Sequence, residues 1–99
     1  MPRSIFWSSL AEEDVEKLLD YLLSNWGSSS TLNFIDLLDH NLKQLILNPK
    51  QYPLYNKKLN VRKCVLTKHN FLFYKVSRTQ IVLLRIYDNR QNPESLTFV

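Results

Sequence analysis

The chain has 99 residues, a length suited to one small domain and too short for a barrel enzyme, a dinucleotide-binding dehydrogenase or a kinase. Apolar residues make up 44% and charged residues 22%, while one glycine and four prolines exclude a linker or a low-complexity chain. The net charge of +4 is divided unevenly: residues 1–48 carry three basic and seven acidic side chains, residues 49–99 ten basic and two acidic. If the halves pack together, the molecule has an acidic face and a basic one, and the basic one attracts polyanions or acidic partners.

Residues 3–7 hold aromatic and β-branched side chains and predict a brief first strand. Ser9-Leu10-Ala11-Glu12 matches a capping box, with Glu12, Glu13 and Asp14 in the first turn, where the helix dipole favours anions. Val15, Leu18, Leu19, Leu22 and Trp26 follow at steps of three and four, predicting a helix over about 9–26. Gly27 stands where a left-handed residue would close it. Ser28-Ser29-Ser30 reads as a polar link, and Thr31 as the cap of a second helix. That helix has Ile35, Leu38, Leu42 and Leu45 on one face, Phe34 and Ile46 beside them, and ends at Asn48-Pro49. The two helices form an antiparallel hairpin.

Residues 50–58 read as a polar, aromatic and basic connection that either binds nucleic acid or covers a sheet edge. The period then changes to two. Asn60–Thr67, Asn70–Ser77 and Gln80–Asp88 predict a three-stranded antiparallel meander, broken at Lys68-His69 and Arg78-Thr79. Strict alternation places Val82, Leu84 and Ile86 on one face of the last strand and Ile81, Leu83, Arg85 and Tyr87 on the other. In the middle strand Leu72, Tyr74 and Val76 oppose Phe71, Phe73 and Lys75. The helices cover the more apolar face, leaving one with Lys75 and Arg85. The expected fold class is α+β, one domain over residues 1–99.

The lone Cys64 forms no internal disulfide and suits a reducing cytoplasm. The opening residues lack the pattern of a signal peptide, and no apolar run approaches membrane-spanning length. Asp36 and His40, spaced i, i+4, are too few for a zinc site. His69 reads as a solvated turn residue and Cys64 as a packed one. No cofactor or metal is expected.

The order strand, helix, helix, meander resembles the RelE/ParE toxins of bacterial type II toxin–antitoxin pairs. The likeness is carried by Trp7-Ser8-Ser9-Leu10-Ala11-Glu12, Asn48-Pro49, Val61-Arg62-Lys63, Phe71-Leu72-Phe73-Tyr74-Lys75-Val76 and Ile86-Tyr87-Asp88-Asn89-Arg90-Gln91-Asn92-Pro93. The Arg-Gln-x-Pro ending is similar to the ParE branch. The resemblance implies a β-α-α-β-β-β fold and a plasmid-stabilising toxin silenced by an antitoxin's acidic or amphipathic segment. ParE-type members poison DNA gyrase without chemistry of their own; RelE-type members cut messenger RNA on the ribosome.

Metal-free RNA cleavage needs a base, a cation for the phosphorane and an acid. RelE-like nucleases carry an arginine at the start of the second meander strand, where Phe71 stands here. They place two basic residues on the first meander strand, where this chain has Arg62 and Cys64. They also place a Tyr or His near the C-terminus, where this chain has Ser95-Leu96-Thr97-Phe98-Val99. No catalytic set is therefore expected, although Tyr87, Asp88, His69 and Arg85 remain a different possible one. The expected contacts to antitoxin or target are Arg62, Arg85, Arg90, Gln91, Lys63, Lys75 and Tyr87, with Arg85 otherwise in a surface ion pair with Asp88 or Glu94. The alternatives are a ribosome-dependent endonuclease and a non-toxic binding module of the same fold.

Overall fold

The structure, a computed structural model, describes residues 3–98; Met1-Pro2 of the opening stretch and the final Val99 fall outside that range. The elements are β1 (Ser4–Trp7), α1 (Ser9–Trp26), α2 (Ser28–Leu47), β2 (Leu54–Asn56), β3 (Val61–Val65), β4 (Asn70–Val76) and β5 (Gln80–Asp88), followed by a 3₁₀ turn at Pro93–Ser95. They build a five-stranded mixed sheet in the order β1-β5-β4-β3-β2.

The meander is present with its expected breaks, and the first strand lies parallel to β5 at the edge. Two strand expectations change. β3 stops at Val65 rather than Thr67. Within the connection 50–58, residues Leu54–Asn56 add a fifth strand, pairing with Val61 and Arg62. Asn60, at φ 57, makes the tight return that brings them together; asparagine tolerates that left-handed conformation better than most residues.

The helix ends also differ from expectation. Ser8, not Ser9, is the cap of α1, its hydroxyl accepting from Ala11 N at 3.1 Å. The serines 28–30 are helical, so α1 and α2 are joined through Gly27 alone. Gly27 has φ 90 and ψ 179, and its N–H donates to Leu22 O. That positive φ is open to glycine and strained for a residue with a Cβ. Thr31 sits in the first turn of α2 and donates from its hydroxyl back to Gly27 O.

The one-residue turn sets the rotation of both helices. Ala11, Val15, Leu18 and Leu22 of α1 and Phe34, Leu38, Leu42, Leu45 and Ile46 of α2 face the sheet. Trp26 and Ile35, expected inward, are exposed. Against the helices pack Ile5 and Trp7, Cys64, Leu72, Tyr74, Val76, Ile81, Leu83 and Ile86. Each fully buried leucine here, such as Leu45, Leu72 or Leu83, contributes about 2 kcal/mol over leaving it in water.

One irregularity decides the face of every residue at the end of β5. Phe73 faces Arg85, whereas Tyr74 faces Leu83, so Leu84 is an extra residue on β5. This bulge overturns strict alternation. Beyond it, Ile86 packs toward the helices, while Leu84 and Tyr87 join Val61, Phe73, Phe71 and Val82 on the opposite face.

That opposite face is also not left bare. Leu96 and Phe98 fold back onto it. Phe98 meets Phe73 edge-on at 5.4 Å and Tyr55 at 6.3 Å, and Tyr55 meets Phe73 at 4.8 Å. The C-terminal segment therefore closes a small second core over strands that the helices do not cover.

Candidate functional site

Of the three arginines singled out from the sequence, Arg62 and Arg85 have been drawn into the fold, while Arg90 stays exposed beside Asp88. Arg85 donates from Nε to Asp14 Oδ2 at 2.7 Å and from NH2 to Asp14 Oδ1 at 3.1 Å, and from NH1 to Thr97 O at 2.8 Å. Both side chains of the ion pair are largely buried, at 13% and 14% exposure. The pair differs from the expected one: Asp14 of α1, not Asp88 or Glu94, is the partner. Hydrogen bonding to Asp14 raises the affinity of the guanidinium for its proton further.

The reason lies at the sheet edge. β1 covers β5 only as far as Leu83. Past that point Ser8 donates from N to Leu83 O and from its hydroxyl to Leu84 O, while Ile86 N donates to Asp14 Oδ2 at 3.0 Å. The start of α1 thus satisfies backbone groups that a longer β1 would otherwise pair, as buried edge groups require. Arg85 locks this arrangement from the other side.

Arg62 lies on β3, where NH1 donates to Tyr52 O at 2.6 Å and Lys50 O at 3.3 Å, fastening the segment after α2. Arg90 follows β5 and makes a two-point contact with Asp88, at 2.9 Å and 2.6 Å. Hydrogen bonds from Arg90 hold the Asp88 carboxyl below the usual carboxylate range. Tyr87 is buried; its hydroxyl donates to Asn92 O at 2.7 Å and contacts the Ser95 hydroxyl. The Lys63 ammonium lies 3.9 Å from the centre of the Phe71 ring, and Lys75 is half-buried opposite Val82.

These seven residues do not converge on one point. Lys63, Lys75 and Tyr87 belong to the face under the C-terminal segment. There Tyr55, Lys63, Phe71, Phe73, Tyr87, Gln91 and Leu96 border a cleft of about 190 Å³. Arg90 stands instead at the far end of β5, beside α1, and Gln91 borders both places. Two adjoining hollows of about 370 and 520 Å³ meet there, sharing Leu18, Tyr21, Asn70 and Arg90. Together they form a groove with apolar walls from Leu22, Phe34 and Leu37 and a polar rim from Asp88, Arg90 and His69.

Tyr21 and Trp26 beside this groove escaped the sequence reading. Trp26 is 67% exposed; it falls on the periodic stripe and so reads as core until the phase of the hairpin is known. His69 is not simply a solvated turn residue, because Nδ1 contacts Asn89 Oδ1 at 3.3 Å at the groove's rim. Asp36 and His40 both face solvent on α2. Cys64 is buried, its thiol 3.7 Å from Asn41 Oδ1, and burial pushes its pKa up. A thiol held in its neutral form is a packing residue rather than a nucleophile. Among the described residues no helix is long and apolar enough to cross a membrane.

A family model described as the ParE toxin of the type II toxin–antitoxin system, parDE, matches residues 5–93. None of the curated proteins compared matches the sequence. Among solved structures, the chromosomal ParDE toxin–antitoxin system from P. aeruginosa superposes with a TM-score of 0.73 at 20% identity, over 87% of this chain and 95% of that one. The YoeB dimer from Staphylococcus aureus superposes at 0.65 and 16% identity, over 88% and 97%. The E. coli DinJ-YafQ toxin–antitoxin complex does so at 0.64 and 16%, over 91% and 96%. At such identities the structural likeness is one of fold.

Proposed function

The chain belongs to the ParE toxin family of type II toxin–antitoxin systems, and from that membership we propose that it inhibits growth in the cytoplasm by gripping a macromolecule, DNA gyrase, rather than by chemistry of its own. The observation that carries the binding reading is the fate of the side chains a metal-free RNA-cutting site would use. Arg85 is held by Asp14, Arg62 by the carbonyls of Lys50 and Tyr52, and the Tyr87 hydroxyl by Asn92 and Ser95. Phe71 occupies the place that the RelE resemblance gives to a phosphate-binding arginine. A general acid or base must reach the proton it moves, and a cation must face the charge that develops. Groups already engaged in this way support adhesion instead.

A cognate antitoxin silences the toxin. Its amphipathic segment lies in the groove between α1, α2 and the end of β5, with apolar side chains against Leu22, Phe34 and Leu37 and a carboxylate near Arg90 and Gln91. Lys63 and Lys75 remain candidate contacts to the target at the margin of the C-terminal segment.

Controlled expression without antitoxin, at verified soluble levels, tests the reading. Growth arrest with a DNA-damage response and cleaved DNA covalently attached to gyrase is expected. Cleaved transcripts with intact DNA would establish the RelE-like alternative instead. Normal growth would reduce the protein to a binding module. For the groove, Arg90→Glu is expected to weaken antitoxin binding at least tenfold, and unchanged binding would move the antitoxin elsewhere.

A further inference from the structure

We infer that the end of the sheet formed by the β2–β3 and β4–β5 turns docks onto the phosphate backbone of duplex DNA. The placement follows from strand register. Arg62 pairs with Tyr74, which sets Val61 level with Lys75, and Lys75 and Val76 pair with Val82 and Ile81. The turns 57–60 and 77–79 therefore project side by side from one end of the sheet. The start of β1 is tied to the same end, since Arg3 Nε donates to Ser77 O at 2.6 Å and Ser4 N to Thr79 O at 3.1 Å.

Arg3, Lys57, Lys58, Lys75 and Arg78 gather here, from segments far apart in sequence. None of the ion pairs among the described residues involves any of them. The sequence contains no acidic residue from 40 to 87. The acidic side chains lie on the helices or at and beyond Asp88, the opposite end of β5. Neighbouring strands are about 4.8 Å apart, so the row spans about 20 Å. A row of like charges with no acidic partner costs free energy through self-repulsion and is relieved by a polyanion.

Duplex DNA fits this surface better than the other polyanions. Single strands are held by base stacking on free aromatic rings, and neither turn carries an aromatic residue. The nearby Tyr55 ring meets Phe73 and Phe98 edge-on and is half exposed, but stacking successive bases takes a row of such rings. A protein partner would centre on apolar anchors, and these turns offer only Leu59, with cations around it. Phosphate contacts from such a row position a protein on DNA without reading its sequence. This inference assumes neither gyrase nor any antitoxin.

The test is fluorescence anisotropy of the full chain with a 20-base-pair duplex of arbitrary sequence at 50–200 mM salt. Four or five phosphate contacts give a slope of log affinity against log salt of about −4. Lys57→Ala with Lys58→Ala lowers the magnitude of that slope by about 2 and weakens binding at least tenfold at 50 mM salt. Lys75→Ala with Arg78→Ala acts in the same direction. Lys17→Ala with Lys43→Ala, on the helices, leaves both quantities unchanged. Circular dichroism checks each fold; the exposed Lys57 and Lys58 keep the test sound should the Lys75 variant fail to fold. The inference is overturned by a flat salt dependence, by equal losses from the helix variants, or by tighter binding of a polyglutamate peptide or a single strand through the same cations.

Discussion

Replacing Asp14 with alanine probes the carboxylate that ties the start of α1 to the end of β5. The carboxylate accepts from Arg85 Nε, Arg85 NH2 and Ile86 N at 2.7, 3.1 and 3.0 Å. Removing it leaves a guanidinium that is 13% exposed with one remaining carbonyl partner, and a strand-edge N–H with none. Breaking a buried pair from one side costs about 3–5 kcal/mol. The pair retains some water contact, which lowers that figure, and the orphaned Ile86 N–H adds about 1 kcal/mol. A loss of about 3 kcal/mol is expected for Asp14→Ala. That is a large share of the roughly 5–15 kcal/mol of a domain this size, and equals a fall in Tm of about 12–24 °C. Urea unfolding of the refolded free chain measures it. Asp14→Asn keeps an acceptor for Ile86 and should lose about 1 kcal/mol less. Arg85→Ala in the Asp14→Ala background should then cost much less than in the parent, because the two residues form one unit. A loss below about 1 kcal/mol for Asp14→Ala, or additive losses in the double variant, would refute the clamp.

Gly27→Ala should lower stability by about 1–3 kcal/mol, from backbone strain at φ 90 alone, since nothing lies within 4 Å of the added Cβ; thermal unfolding reports it, and a neutral result would mean the turn adopts another conformation. Phe98→Ala removes both edge contacts of its ring and should cost about 2 kcal/mol, read as a lower urea midpoint; no change would mean the C-terminal segment is not docked on the sheet. Burial raises the Tyr74 phenol to about 12. Because its folded pKa exceeds the unfolded value, this stabilisation is complete below pH 10 and is lost as pH climbs from 10 toward 12. Burial raises the Tyr52 phenol as well, so an absorbance titration should show late tyrosine steps of which the one near 12 is lost in Tyr74→Phe; an unchanged titration in that variant would reject the assignment.

The hydrophobic period, the capping box read at residues 9–12, one residue past the true cap, the proline after the second helix and the two short meander breaks carry both helices, four of the five strands and the family likeness. Those signals are local: each depends on residues three or four apart, or on strict alternation, and neighbours in sequence decide it. β2 was not legible because a three-residue edge strand has no period, and only pairing with β3 makes it one. The contact residues were harder still. Arg62 and Arg85 look like available cations in a list of residues, yet whether an arginine meets solvent depends on what arrives from elsewhere in the chain; Arg90, paired only with its neighbour Asp88, stays exposed. Asp14 is 71 residues from Arg85, and a single bulged residue on β5 turned Tyr87 to the face that the C-terminal segment covers. Conversely, Lys75 and the Lys57-Lys58 pair draw notice in the sequence separately and Arg3 and Arg78 not at all, and strand register alone assembles the five. Charge content is a property of the sequence. Which charges cancel and which stay free depends on distance in space, and only the packed chain sets that.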